Sequence, residues 1–169
     1  MKYVLIITFS LLMFSCTHDI PIAHLEFIKI EKNDAYENSF FITFRSDVEL
    51  INNLEKEHSG LILKCFYTDK KIDEDAFIHH KGYYLESIWG ESELISNTQK
   101  GYVYKATTFV YDSMDPDNNR SKDIYQFTNS NVDCMSCVAS SVAYMNIPNR
   151  YISETMCIPA NGIKKLVTK

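Results

Sequence analysis

"GYVYKATTFVYD", residues 101–112, is the stretch on which the fold turns. Read with period two, it places Tyr102, Tyr104, Ala106, Thr108 and Val110 on one face. Its aromatic and β-branched residues suit a pleated, half-buried surface, so it predicts a long strand. "SMDPDNNRS" then supplies a turn, and "KDIYQFT" (122–128) reads as the strand that returns against it.

The same pattern recurs on either side. "AHLEFIKIE" (23–31) sets Ala23, Leu25 and Phe27 on one face, although Ile28 and Ile30 blur the alternation. Across the turn "KNDAYEN" lies "SFFITFRS" (39–46), which predicts a hairpin. "GLILKCFYT" (60–68) is apolar enough for a central strand and carries Cys65. "AFIHH" and "GYYLESIW" read as two strands, or as one bulged at Gly82. "GESELISNTQK" reads as a loop or a single helical turn, "RYISETMCIP" (150–159) as a last strand, and "ANGIKKLVTK" as a loosely ordered tail.

Between the second and third strands the period changes. Val48, Ile51 and Leu54 recur every three residues behind a capping box of Ser46 and Glu49, which predicts a helix over 47–58 closed by Gly60. "DCMSCVASSVAYMNIP" (133–148) fits both periods. Cys134, Cys137, Val138, Ser141, Val142 and Met145 share a helical face, whereas Val132, Cys134, Val138, Val142 and Tyr144 share a strand face. Its β surroundings favour strand. The expectation is a mainly β protein, a small antiparallel β-sandwich with one or two helices, with α+β as the alternative.

The N-terminus fixes the compartment. "MKYVLIITFSLLMFSC" has a cationic start at Lys2 and an apolar run from Val4 to Phe14, the length of a signal-peptide core and too short to span a bilayer. "LLMFSC" resembles a bacterial lipobox, with Ser15 in the small position before Cys16; Met13 and Phe14 depart from the usual residues, which leaves ordinary signal cleavage nearby as an alternative. The expected organisation is a signal peptide at 1–15, lipidated Cys16 with a tether over 16–22, and one domain over 23–169. By resemblance to the sorting rule of Gram-negative lipoproteins, Thr17 after the cysteine implies an outer-membrane anchor facing the periplasm. Such a protein is held at the membrane by acyl chains and does not span it.

Removing fifteen residues leaves 169 − 15 = 154, enough for one domain with its own core. The net charge is −5, and loss of Lys2 makes it −6. No basic cluster precedes the terminal "GIKKLVTK", so nucleic acid is excluded as a natural partner and a basic protein is favoured.

With Cys16 as anchor, Cys65, Cys134, Cys137 and Cys157 remain, an even number in an oxidising compartment. The favoured pattern joins one of Cys134 and Cys137 to Cys65 and the other to Cys157, without choosing between its two versions. A redox Cys-x-x-Cys needs a strand leading into a helix N-terminus within a βαβ unit, and a zinc site needs a second ligand pair; the neighbourhood offers neither. His79 and His80 alternate in a strand and point apart, so they do not share a metal. "DPDNNRSKD" spaces Asp115, Asp117, Asn119, Ser121 and Asp123 as a calcium loop does, but Arg120 stands where glycine is needed and Gln126 where the closing glutamate belongs. No Gly-x-Ser-x-Gly elbow or catalytic carboxylate pair stands out, so no enzyme, catalytic residue, metal or cofactor is expected.

The remaining chemistry is aromatic. Tyr83, Tyr84 and Trp89, flanked by acidic loops that include Asp115 and Asp117, form the candidate protein-binding set, since Tyr and Trp dominate interface energetics. A signal peptide ending at Cys16, a β-rich body and a late strand of the kind "YISETMCIPANG" together resemble the immunity lipoproteins of type VI secretion systems. That resemblance implies a periplasmic protein that neutralises a cognate antibacterial toxin by covering its active cleft. The competing expectations are a structural or assembly lipoprotein of the envelope and a small-ligand-binding lipoprotein.

Overall fold

The computed structural model describes residues 20–56, 59–114, 132–142 and 150–167. The expected signal peptide, Cys16, the turn with Asp115 and Asp117, and the expected strand at 122–128 lie outside the described residues.

Seven strands form one antiparallel sheet. In chain order the elements are β1 (Leu25–Lys32), β2 (Ser39–Ser46), α1 (Leu50–Lys56), β3 (Gly60–Phe66), α2 (Glu74–His79), β4 (Tyr83–Thr98), β5 (Gly101–Asp112), β6 (Cys134–Val142), β7 (Met156–Pro159) and α3 (Ala160–Val167). The spatial order is β1-β2-β5-β4-β3-β6-β7. The protein is therefore mainly β and antiparallel, and the ambiguous 133–148 segment contributes a strand.

The two layers expected of a sandwich come from a single sheet that curls until β7 approaches β1. The seam is stitched just outside the strands. Glu154 N donates to Ala23 O (2.9 Å), Ala23 N donates to the Tyr151 hydroxyl (3.0 Å), and His24 Nδ1 lies 2.9 Å from the Glu154 carboxylate. Closure of this kind protects most sheet edges from unwanted pairing.

One core fills the curl. Leu25, Ile42, Phe44, Leu63, Cys65, Leu85, Tyr104, Met135, Cys137 and Ile158 come from all seven strands, with Leu50 and Leu54 of α1 and Ile163 of α3 at its ends. Ile28 is exposed because the β1–β2 register slips between Phe27 and Lys29; past that bulge Ile30 turns back to the core. This explains the blurred alternation of β1.

Four segments differ from expectation, one of them "GESELISNTQK", which continues strand β4 to Thr98 instead of forming a loop or a helical turn. The hairpin partner of 101–112 is β4, and β2 takes the other edge of β5, so both its edges are occupied along most of its length. "AFIHH" is helical because Asp73 caps it: its carboxylate accepts from Ala76 N (2.8 Å), and Glu74 and Asp75 favour the positive end of the helix. The C-terminal tail is helix α3, held down by Ala160 and Ile163, with Lys164 and Lys165 in its last turn.

The helix expected over 47–58 spans Leu50–Lys56, and its cap comes from elsewhere in the fold. Ser46 closes a local turn on Val48, and the hydroxyl of Tyr104 accepts the Leu50 amide at 2.7 Å. A strand residue thus satisfies one of the helix's orphan donors.

Both disulfides spring from β6, on opposite faces. Cys65 and Cys137 are directly opposed across β3 and β6, with Cα atoms 4.0 Å apart inside the core. Cys134 joins Cys157 of β7 diagonally, at 5.6 Å, on the outer face. This is one version of the cross-tied pattern, and it ties three adjacent strands together.

Candidate protein-binding surface

Strand β4 is longer than its neighbour β3 can cover. β3 bridges it only from Tyr84 to Glu86, whereas β5 follows it to Thr98. The two strands part at Ser87, whose hydroxyl accepts the Leu63 amide (2.8 Å) in place of a backbone carbonyl. Between Ser87 and Ser92 the β4–β5 register slips, and Gly90 lies in that kink at φ 81°, a backbone conformation that glycine adopts without strain.

The kink swings Trp89 across the start of β3. Its indole lies over Gly60, where a β-carbon would sit 1.6 Å from Nε1. Only glycine leaves room for that ring. Trp89 nevertheless remains about half exposed, at 49%. Beyond the kink, Leu94 (40%) and Ile95 (52%) are exposed as well; Ile95 is the extra residue of a second bulge, between Leu94 and Ser96. Glu91 and Glu93 stand between them, both exposed, with Glu93 3.7 Å from Lys105. Leu94 opposes Tyr104 on the inner face and Glu93 opposes Lys105 on the outer one, so the apolar and acidic side chains of this strand divide between its two faces.

The hairpin closing β4 onto β5 keeps this strand extended to its tip. Thr98 Oγ1 accepts from Lys100 N (3.2 Å) and donates to Gly101 O (3.1 Å). Gly101 has φ 119°, and a β-carbon there would meet the Ser46 carbonyl oxygen at 2.4 Å.

The expected tyrosines divide between the two faces of the sheet. Tyr83 packs against the inner core, whereas Tyr84 is buried on the outer face. There Tyr84 stacks on Tyr111 (5.6 Å between ring centroids) and lies beneath the ammonium of Lys64 (4.2 Å). Phe77 and Phe66 complete the cage round Lys64 at 4.9 and 5.6 Å, and Glu86 pairs with it at 3.0 Å. Largely removed from water, such cation–π contacts hold α2 onto the sheet. Burial, with Glu86 adding to it, pushes the Tyr84 phenol up to about 12.

The histidine pair also separates. His79 ends α2 and lies 3.7 Å from Asp75, both exposed. His80 packs against Phe66 (4.4 Å between centroids) and Tyr84, and this burial lowers its pKa, with the Lys64 charge acting in the same sense. Among the described residues no group of three or more His, Cys, Asp or Glu is placed to hold a metal ion.

Of the residues singled out by sequence, Trp89 alone lies on the exposed β4 surface. Asp115 and Asp117 are outside the described residues, as is the lipidation candidate Cys16. Leu94, Ile95, Glu91 and Glu93 escaped the sequence reading because "GESELISNTQK" resembles a loop; their signal is the apolar pair at 94–95 inside an otherwise polar run. No protein-family model, no curated protein and no solved structure matches the chain.

Proposed function

We propose that this is a lipid-anchored periplasmic lipoprotein that works as a protein-binding module, and that its partner is a secreted antibacterial toxin which it neutralises. The observation that carries the protein-binding reading is the β4 surface. Trp89, Leu94 and Ile95 are three of the eight exposed large hydrophobics among the described residues, gathered within seven positions and interleaved with Glu91 and Glu93. An aromatic anchor with apolar neighbours and an acidic surround is the composition of a binding hot spot for a basic partner.

The frame suits that task. Two disulfides and a fastened seam make a rigid body, so little conformational freedom is lost on binding. Inhibition would follow from occlusion: the β4 strand covers the toxin's cleft, and carboxylates meet its basic rim. Anchoring through Cys16 would station the protein where an incoming toxin arrives.

The test is genetic and biochemical. Deleting the gene should leave cells sensitive to toxin-producing sister cells, and the tagged protein should co-purify with the product of the adjacent toxin gene. Cys16→Ser should release the protein from the membrane fraction. Unharmed deletion cells would remove the toxin, and a Cys16→Ser protein still in the membrane would remove the anchor.

A further inference from the structure

The β4 surface offers a main-chain edge as well as side chains. From Ser92 to Thr98 one side of β4 is paired with β5, and no strand among the described residues bridges the other. A strand edge of this kind presents a row of backbone donors and acceptors, which an extended segment of another protein can complete. Two of the usual guards are missing from its sequence: "YYLESIWGESELISNT" contains neither lysine nor proline, although Glu91 and Glu93 put charge on it. The two bulges guard it as well, since they interrupt the edge at 88–91 and at Ile95 and shorten any continuous pairing. Stacking of many copies is thereby disfavoured, whereas a short strand able to follow the kink is accommodated.

We propose that the edge of β4 between Ser92 and Thr98, left unpaired among the described residues, takes up an extended, basic segment of the partner protein as an added strand. The inference rests on the protein-binding reading of this surface and states how that binding is made. Main-chain pairing would supply the affinity, Trp89, Leu94 and Ile95 would cover the apolar side chains of the added strand, and Glu91 and Glu93 would select cationic ones. The net negative charge, −5 for the full sequence, steers such a segment towards the protein and turns away acidic ones.

The experiment uses the intact protein and three synthetic peptides: one alternating lysine and valine, the same peptide N-methylated at every residue, and one alternating glutamate and valine. Trp89 is the sole tryptophan, so its emission reports on the edge directly. The lysine–valine peptide should shift that emission and slow amide exchange within 92–98, and both effects should weaken with added salt. The N-methylated form keeps the charge and apolar surface but has lost its donors, and it should do neither. The glutamate–valine peptide should bind about tenfold more weakly or worse. Glu91→Gln with Glu93→Gln should weaken the lysine–valine peptide while leaving the unfolding midpoint near that of the wild type, since both side chains are exposed.

Several results would overturn the proposal. These are equal binding of the N-methylated peptide, exchange protection outside 92–98, full protection of these amides in the free protein, and concentration-dependent self-association through this edge. The outcome is independent of the toxin. Edge pairing without any phenotype in the deletion strain would sink the immunity role and leave the added strand standing, and a phenotype without edge pairing would do the reverse.

Discussion

The indole of Trp89 lies over Gly60 so closely that a β-carbon on residue 60 would be 1.6 Å from Nε1 and 1.8 Å from Cδ1. Alanine at 60 therefore cannot coexist with the ring in its present place. The backbone need not move, because the obstacle is a half-exposed side chain with space on its solvent side. Gly60→Ala should keep the fold, displace the indole into water and move the emission to longer wavelength, with a stability loss of about 1 kcal/mol for the lost aromatic contact. An unchanged emission spectrum would mean that the ring does not rest on Gly60.

The two disulfides should differ in accessibility and in weight. Cys65 and Cys137 are wholly buried, while Cys157 is exposed and Cys134 half-buried. Under mild reductant, alkylation should mark Cys134 and Cys157 first. The buried bridge closes the longer span, 72 residues against 23, which in the chain-entropy view corresponds to about 4 against about 3 kcal/mol. The Cys65→Ala/Cys137→Ala variant should accordingly lose more stability than Cys134→Ala/Cys157→Ala. The two spans overlap at 134–137, so removing both should cost less than the sum. Labelling in the opposite order would contradict this placement of the faces.

Tyr104 should govern the stability of α1 and the alkaline limit of the fold. Tyr104→Phe leaves the buried Leu50 amide without its acceptor, which costs about 1–3 kcal/mol. Burial pushes the Tyr104 phenol up to about 12 from an ordinary 10.0. Because the folded value is the higher one, stability from this group is complete below pH 10 and lost as the pH climbs through 12. Tyr84 titrates in the same sense, so the variant should show a shallower alkaline loss rather than none. Urea midpoints between pH 8 and 11 would check both halves, and an alkaline slope unchanged by Tyr104→Phe would sink the second.

Much of the sheet was legible in the sequence because alternation survives wherever one face is buried. Strands β1, β2, β3 and β5 fall where Leu25, Phe44, Leu63 and Tyr104 predict them. The last half of β4 was not legible, and the cause is local: two bulges reset the parity of the chain at 88–91 and at 95, so no face persists long enough to read. Helix α2 was hidden for a different reason. "DED" carries both the cap and the favourable first-turn charge, yet the same letters describe a solvated loop. At the candidate surface the aromatic grouping named Trp89 correctly, whereas Tyr83 and Tyr84, adjacent in sequence, necessarily separate to opposite faces of a strand. Leu94 and Ile95 acquire meaning only once β3 is seen to end short of them.

Acidification should weaken the fold through His80 and strengthen it through His24, and single substitutions should separate the two. His80 is half-buried against Phe66 and Tyr84, with the Lys64 charge nearby, so its folded pKa lies below the ordinary 6.5. Its neutral ring is what the packing accepts. The stability that depends on it is present above pH 6.5 and lost as the pH falls through the lowered value. His24 behaves oppositely: its hydrogen bond to Glu154 raises its pKa, with Asp47 and Glu26 adding to the effect. Its contribution to the seam is full below pH 6.5 and fades as the pH rises through the raised value. His80→Gln should therefore flatten the loss of stability below pH 6.5, and His24→Gln should flatten a decline just above it. His24 is exposed, so its effect should shrink in high salt, whereas the His80 effect, set by burial, should persist. Urea denaturation across pH 4.5–8 at low and high salt would read all four trends, and a His80→Gln protein as acid-sensitive as the wild type would show that the ring is not buried neutral.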